Sequence, residues 1–367
     1  MITSAAGLGG AALSGCAMDG TLMGDAPGPD VKAPASAFTP STDQLGNGPA
    51  VVGLLATDEI GNLSGGAPNS IYFAAKLALN DLSIGRASIL VRGVQDTPSL
   101  LAAAEAVETA GVGAVVGPVG DMATAGLMKA LSGKSIPVLS LGRTADLDRQ
   151  VYGAGVDYDQ QAEVAVKEMK ARGYTAIVIA TSSQYGSELV GAATAAAAGR
   201  AGIAVRPAHI VSPDKALATI AFAASGGPAP SALMLAVSPD LAQLVLQARS
   251  TDPHLAKLPV IGNAGWGLAY LDPADFTGVW YPTLPLDSLK SFADRFALAY
   301  SDIPTLDGVI AYDLTILALA LPQMAGKNPY RREVMTSAKG FKGQAGPFFF
   351  SPSTGLATRQ YSIAVVS

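Results

Sequence analysis

GAVVGPVGDMATAGL (113–127), followed closely by SIPVLSLGRTADL (135–147), is the stretch whose reading decides the fold. The run 113–118 is continuously apolar, is closed by Gly117 and Pro118, and is too short for a helix. It reads as a strand buried on both faces. A helix over about 121–131 follows, and 136–141 reads as the next buried strand. Strand, helix and strand at this spacing make a parallel crossover, the unit from which doubly wound sheets are built.

The alternation continues outward in both directions. Upstream, AVVGLLAT (50–57) and ASILVRGVQD (87–96) read as strands, and SIYFAAKLALNDL (70–82) and SLLAAAEAVETA (99–110) as helices. Downstream the pattern restarts with a helix near 158–172. Strands are expected at TAIVIAT (175–181), IAVRPAHIV (203–211), SALMLAVS (231–238), PVIGNAG (259–265) and GVWYPTL (278–284), with helices between them. Two such series predict two lobes, because one open sheet of about ten strands is uncommon. Helices near 287–301, 308–323 and 330–338 come next, and GPFFFSPSTG with RQYSIAVVS is expected to form a closing hairpin.

Composition bounds the function. The 367 residues are 49% hydrophobic and only 14% charged, with a net charge of −5, so cores can be filled but no basic face exists to gather phosphates. Nucleic acid is not an expected partner. His209 and His254 are far apart and lack ligand spacing, and neither a nucleophile elbow nor a phosphate-binding lysine loop is present. The glycines of GVGAVVG lead into a strand instead of leaving one, so they are no dinucleotide fingerprint. The chain is expected to be no enzyme and to carry no cofactor or metal.

The single cysteine, Cys16, closes MITSAAGLGGAALSGC, a small-residue apolar segment too short to span a bilayer. Leu13, Ser14, Gly15 and Cys16 resemble the bacterial lipobox, in which cleavage precedes the cysteine and acyl chains are added to it. That resemblance implies a signal peptide over 1–16, lipidation at Cys16 and a membrane anchor. No Lys or Arg precedes the apolar run, a departure from the lipobox pattern. Ala17 stands where an Asp would retain a lipoprotein in the inner membrane, which points to the outer one. Residues 17–49 hold Pro27, Pro29, Pro34, Pro40 and Pro49 among Gly, Ser and Asp, and read as a flexible tether with a reach of roughly 30 Å.

Taken in order, GAVVGPVGDMATAGL, SIPVLSLGRTADL, SSQYGSELV, SALMLAVSPDLAQLVLQAR and AYDLTILALA resemble the type I periplasmic binding proteins, in their Leu/Ile/Val-binding branch. The resemblance implies an α/β fold of two doubly wound parallel-sheet lobes joined by a three-strand hinge. Lobe 1 is expected over 50–155 and 286–340, and lobe 2 over 156–285 and 341–367.

In such folds polar ligands settle where strand carboxyl ends and helix N-termini open onto a crevice. Candidate ligand-binding residues are Ser64, Asp121, Arg143, Thr144, Tyr185, Asn263 and Trp266. In amino-acid-binding relatives, hydroxyls after the third and fourth strands hold the ligand and a tyrosine packs over it, which Thr144 and Tyr185 match. Asp121 stands where those relatives have a serine, and Asn263 and Ala264 where they have an acid. Each residue has a plainer reading too. Asp121 can cap its own helix, Tyr185 and Trp266 can be packing, and Arg143 can pair with Asp146 or Asp148.

Two functions fit these expectations. One is a periplasm-facing solute-binding lipoprotein that captures an amino-acid-like or other small polar ligand and delivers it to the permease of an ABC importer. The other is a lipoprotein that activates a penicillin-binding protein by contact.

Overall fold

Two six-stranded sheets, each parallel except at one edge, organise the chain. The computed structural model describes residues 44–57, 67–82, 87–183 and 186–367, all within the unit Ser36–Ser367. The first sheet is built from β1 (Gln44–Leu45), β2 (Ala50–Thr57), β3 (Ser88–Val94), β4 (Ala114–Val119), β5 (Val138–Leu141) and β6 (Val151–Gly153), in the order β1-β3-β2-β4-β5-β6. Helices α1 (Ala67–Leu82), α2 (Thr97–Thr109) and α3 (Asp121–Ala130) form the crossovers. Alternate residues of a strand face opposite sides, and both sides here are apolar. Leu54 and Val116 pack with α1, while Leu55 and Val115 pack with α2 and α3. Helix α2 answers with Leu100, Ala103, Ala104 and Val107, the one-face spacing of an amphipathic helix.

The second lobe repeats the plan. Its elements are α4 (Tyr158–Ala171), β7 (Ala176–Ser182), α5 (Ser187–Arg200), β8 (Ala204–Ile210), α6 (Ala216–Ser225), β9 (Ala232–Leu235), α7 (Pro239–Ala248), β10 (Val260–Ile261), α8 (Pro273–Phe276) and β11 (Trp280–Thr283). Helices α4 and α5 cover one face of the sheet, and α6, α7 and α8 cover the other. The chain then returns to the first lobe through α9 (Leu286–Tyr300), α10 (Leu306–Ala325) and α11 (Arg332–Met335). Helix α10 is long and apolar enough to cross a membrane, yet two thirds of its apolar window is buried, and it packs against α1, β2, β4 and β5 as a core helix.

The last strands depart from expectation. Strands β12 (Phe348–Phe350) and β13 (Ala357–Arg359) form a separate two-stranded sheet, while β14 (Ser362–Val365) runs antiparallel to β11 at the edge of the second sheet. The expected hairpin partners therefore part company. Residues 341–361, assigned to lobe 2 by sequence, pack on lobe 1, because Phe348, Phe350 and Tyr361 bury themselves beside Tyr152, Tyr330 and Met335. Phe350 and Tyr152 have ring centroids 5.4 Å apart. Gln44–Leu45 is a second correction. It lies inside the expected tether, but pairs with β3 and buries Leu45. Two residues are too few for any periodicity to announce them.

Three crossovers join the lobes, at 154–157, 284–285 and 360–361. The first leaves the carboxyl end of β6 and the second the carboxyl end of β11, so the carboxyl edges of both sheets border the same seam.

Candidate functional site

On the first lobe the seam is built by the loops after β4 and β5. Gly120, with φ of 81°, turns the chain into α3, a conformation a side chain would strain. Asp121 then sits in the first helical turn, and its carboxylate does not cap that helix. Oδ1 accepts instead from the Arg143 backbone N–H at 2.6 Å and from the Thr144 hydroxyl at 3.0 Å. Asp121 and Thr144 thus tie two loops together. Gly142 makes this approach possible, since a Cβ there would lie 2.8 Å from the Gly120 backbone. Beneath the loops the Thr124 hydroxyl donates to Gly120 O at 2.8 Å and is hydrogen-bonded at 2.6 Å to the Ser140 hydroxyl, which accepts from Gly142 N–H at 2.8 Å. This buried relay fixes the floor of the lobe-1 rim.

On the second lobe, Ser187 accepts from Ser182 N–H at 2.8 Å and donates to Ala236 O at 2.6 Å, binding the start of α5 to two strand ends. Asn263 accepts from Gly265 N–H at 3.0 Å and donates to Val237 O at 2.9 Å. Its amide thus ties this turn to the end of β9. Trp266 is a correction to the expected ligand contact. Its side chain is 1% exposed, donates to Val237 O at 2.8 Å and meets Phe276 edge to face at 5.5 Å, so it belongs to the core beneath the seam. Ser64 and Tyr185 lie outside the described residues, as does Cys16.

Arg143 finds a different partner from those nearest in sequence. Its Nη2 donates to Asp157 Oδ2 at 2.7 Å and its Nη1 to Ala357 O at 2.6 Å, spanning from the β5 loop to the first crossover and to strand β13. Asp146 is already engaged by the backbone N–H groups of Asp148 and Arg149. Asp157 also caps α4, accepting from Gln160 N–H at 3.0 Å. Gly155 permits the close approach here, because a Cβ would strike Leu141 O.

Behind Arg143 lies a charged group that the sequence reading did not single out. Arg359, 7% exposed, donates from Nη1 to Ala154 O at 2.9 Å and lies over Phe348 with Cζ 4.8 Å from the ring centroid. Burial pushes its pKa down, opposed by the nearby charge of Asp313. The Asp313 carboxylate takes the Gln344 and Ala345 N–H groups at 2.6 and 3.0 Å, yet burial still raises its pKa to about 6. Burial likewise pushes Tyr361 up to about 12; its hydroxyl meets the backbone of Asp157. A signal did exist, since Asp313 interrupts an otherwise apolar helical run, AYDLTILALA. Acids in such runs are rarely buried without a partner. Among the described residues no group of three or more His, Cys, Asp or Glu side chains gathers as a metal site.

Two three-layer lobes, three crossovers and strand ends gathered on one seam define the two-lobed α/β architecture of type I periplasmic binding proteins. A family model described as "Periplasmic binding protein" matches residues 95–367, and the chain belongs to that family. Solved structures share the fold. The branched-chain amino acid transporter substrate-binding protein LivJ of Streptococcus pneumoniae, in complex with isoleucine, is 16% identical with a TM-score of 0.62, covering 87% of this chain and 96% of that one. A solute-binding protein of an ABC transporter from Rhodopseudomonas palustris BisB5, in complex with 3,4-dihydroxybenzoic acid, is 18% identical with a TM-score of 0.64, covering 86% and 92%. A third, from R. palustris in complex with benzoate, is 18% identical with a TM-score of 0.62, covering 88% and 94%. A search of the curated proteins finds no match.

Proposed function

We propose that this protein is a non-enzymatic, envelope-facing solute-binding lipoprotein that captures an amino-acid-like or other small polar ligand between its lobes and hands it to an ABC importer. The observation that carries the reading is the convergence of both sheets' carboxyl edges on one seam crossed by three connections, in a member of the periplasmic binding protein family. Structurally similar transporter binding proteins hold isoleucine, benzoate and 3,4-dihydroxybenzoate, which keeps both amino acids and organic acids in view. Lobe closure follows from contacts to both lobes that exist only when the seam is shut, and the ligand shifts the equilibrium by no more than that differential affinity.

The rim of lobe 1 would be formed by Asp121, Arg143 and Thr144, with the Asn263 turn opposite, and Ser64 and Tyr185 would complete the lining. Cys16 would carry the acyl chains, placing the protein on the periplasmic side of a membrane, with Ala17 favouring the outer one. A thermal-shift screen with amino acids, small organic acids and peptides tests the binding role. A true ligand at a hundredfold excess over Kd adds about 2.7 kcal/mol of apparent stability. If no solute raises the melting temperature while a penicillin-binding protein co-purifies, the importer reading is lost. Mass spectrometry of the mature protein from its host tests the anchor, and an unmodified Cys16 would refute it.

A further inference from the structure

The net charge of −5, from which no basic face is expected, conceals an asymmetry. The last 54 residues, 314–367, hold six Lys and Arg against one acid, Glu333, a side-chain net of +5, while the 313 residues before them carry −10. Arg359 is buried. The other five, Lys327, Arg331, Arg332, Lys339 and Lys342, follow α10 within sixteen residues, and all but the half-buried Arg331 are exposed. Glu333 reaches only Arg331, at 4.0 Å, and none of the other four makes an ion pair among the described residues.

The fold of lobe 1 brings these cations to one flank. Arg331 donates to Asn328 O at 3.2 Å, closing the turn that carries Lys327, and Arg332 donates to Pro352 O just beyond β12. Phe341 and Phe348 form an antiparallel bridge, and Gly340 lies so close to Phe349 that a Cβ there would be 2.5 Å from its ring. Lys339 and Lys342 therefore flank the start of β12, and Arg332 its end. Phe349, the outward residue of β12, is 42% exposed between them, and Met324, 82% exposed, precedes Lys327 at the end of α10.

Cations without acid partners attract anionic headgroups, and apolar side chains interleaved with them can enter the boundary between headgroups and acyl chains. The acidic remainder of the molecule does not prevent this, because exposed charges more than about 8 Å away are largely screened at physiological ionic strength. We propose that this basic flank of lobe 1, between 324 and 352, docks on the headgroups of an anionic phospholipid surface. The choice of lipid over an acidic protein rests on the anchor proposed above at Cys16, which keeps a bilayer close; the flank itself does not depend on it. Docking holds lobe 1 on the membrane and leaves lobe 2 to move on closure.

The test uses the full-length Cys16→Ser protein, in which no acyl chain contributes, and measures co-sedimentation with vesicles of phosphatidylcholine alone or mixed with phosphatidylglycerol. The proposal expects saturable binding to the mixed vesicles, none to phosphatidylcholine, and loss of binding in about 0.5 M sodium chloride, where the Debye length is about 4 Å. Lys339→Gln with Lys342→Gln removes two charges of the flank and should weaken binding about fivefold per charge. Lys167→Gln with Lys170→Gln removes the same charge from exposed positions of α4 in lobe 2 and should leave binding unchanged. No binding to mixed vesicles, or an equal loss in the two double variants, overturns the proposal. An acidic protein that co-purifies while mixed vesicles fail to bind overturns it in favour of a protein partner. Acylated Cys16 in the native protein, with no vesicle binding by Cys16→Ser, removes the flank and leaves the anchor standing; unmodified Cys16 with vesicle binding removes the anchor alone.

Discussion

Arg143 stands 2.7 Å from Asp157, Nη2 to Oδ2, with both side chains about three-quarters buried. The pair joins the loop after β5 to the first crossover, and Arg143 reaches strand β13 as well through Ala357 O. One side chain thereby fastens the first connection between the lobes to the strand that leads into the third.

Replacing Asp157 separates its two roles. Asp157→Ala removes the cap of α4 and the ion pair together, and the expected loss is about 2 kcal/mol. Asp157→Asn keeps a capping oxygen and loses only the charge, so about half that loss is expected. Urea unfolding with an unchanged slope reads both. Equal losses in the two variants would show that the cap contributes nothing.

Asp121→Ala frees the Arg143 and Thr144 loop that Oδ1 now holds. A stability loss of about 1–2 kcal/mol is expected, with a weaker affinity for any solute found in the screen. Asp121→Asn retains an acceptor oxygen for both donors and should fall between wild type and Ala in calorimetry. A solute bound more tightly by Asp121→Ala would mean that the carboxylate repels its cargo.

Trp266→Ala empties a core position and should cost about 3–5 kcal/mol. Trp266→Phe loses the bond to Val237 O but fills most of the volume, so a smaller loss is expected, with solute affinity close to wild type. Wild-type stability with abolished solute binding in Trp266→Phe would return the indole to the ligand site.

Asp313 gives a pH signature. Its folded pKa, raised to about 6 by burial, exceeds the ordinary value near 4, so between these values the native state holds a proton that the unfolded chain has released. The stabilising contribution is therefore full below about pH 4 and is lost as pH rises through about 6, by on the order of 1–3 kcal/mol. Asp313→Asn should flatten the stability profile between pH 4 and 6, as measured by chemical denaturation across that range. An unchanged slope would place the titration elsewhere.

The expected strands at 50–57, 113–118 and 175–181 lie within two residues of β2, β4 and β7, because a central parallel strand buried on both faces must be continuously apolar, and that is visible in one dimension. Edge pieces were not legible. Strands β1 and β6 are short, and their pairing is decided by neighbours far along the chain. The candidate site divides the same way. Asp121, Arg143 and Thr144 follow adjacent strands and meet through Asp121 Oδ1, while the partner of the Arg143 side chain was not legible, since Asp157 meets it only once the first crossover folds back.

The amino-acid order by itself determined the layered α/β plan, the two lobes and the seam at the strand ends, because hydrophobic periodicity encodes which faces are buried. Only the tertiary structure decided that the aromatic segment 341–361 belongs with lobe 1, that Trp266 is core, and that Arg359 ends with two bare donors at the hinge. Those outcomes turn on contacts between residues up to about two hundred positions apart, such as Arg359 with Ala154, and burial and hydrogen-bond satisfaction are properties of the packed chain, with no local sequence signal to carry them.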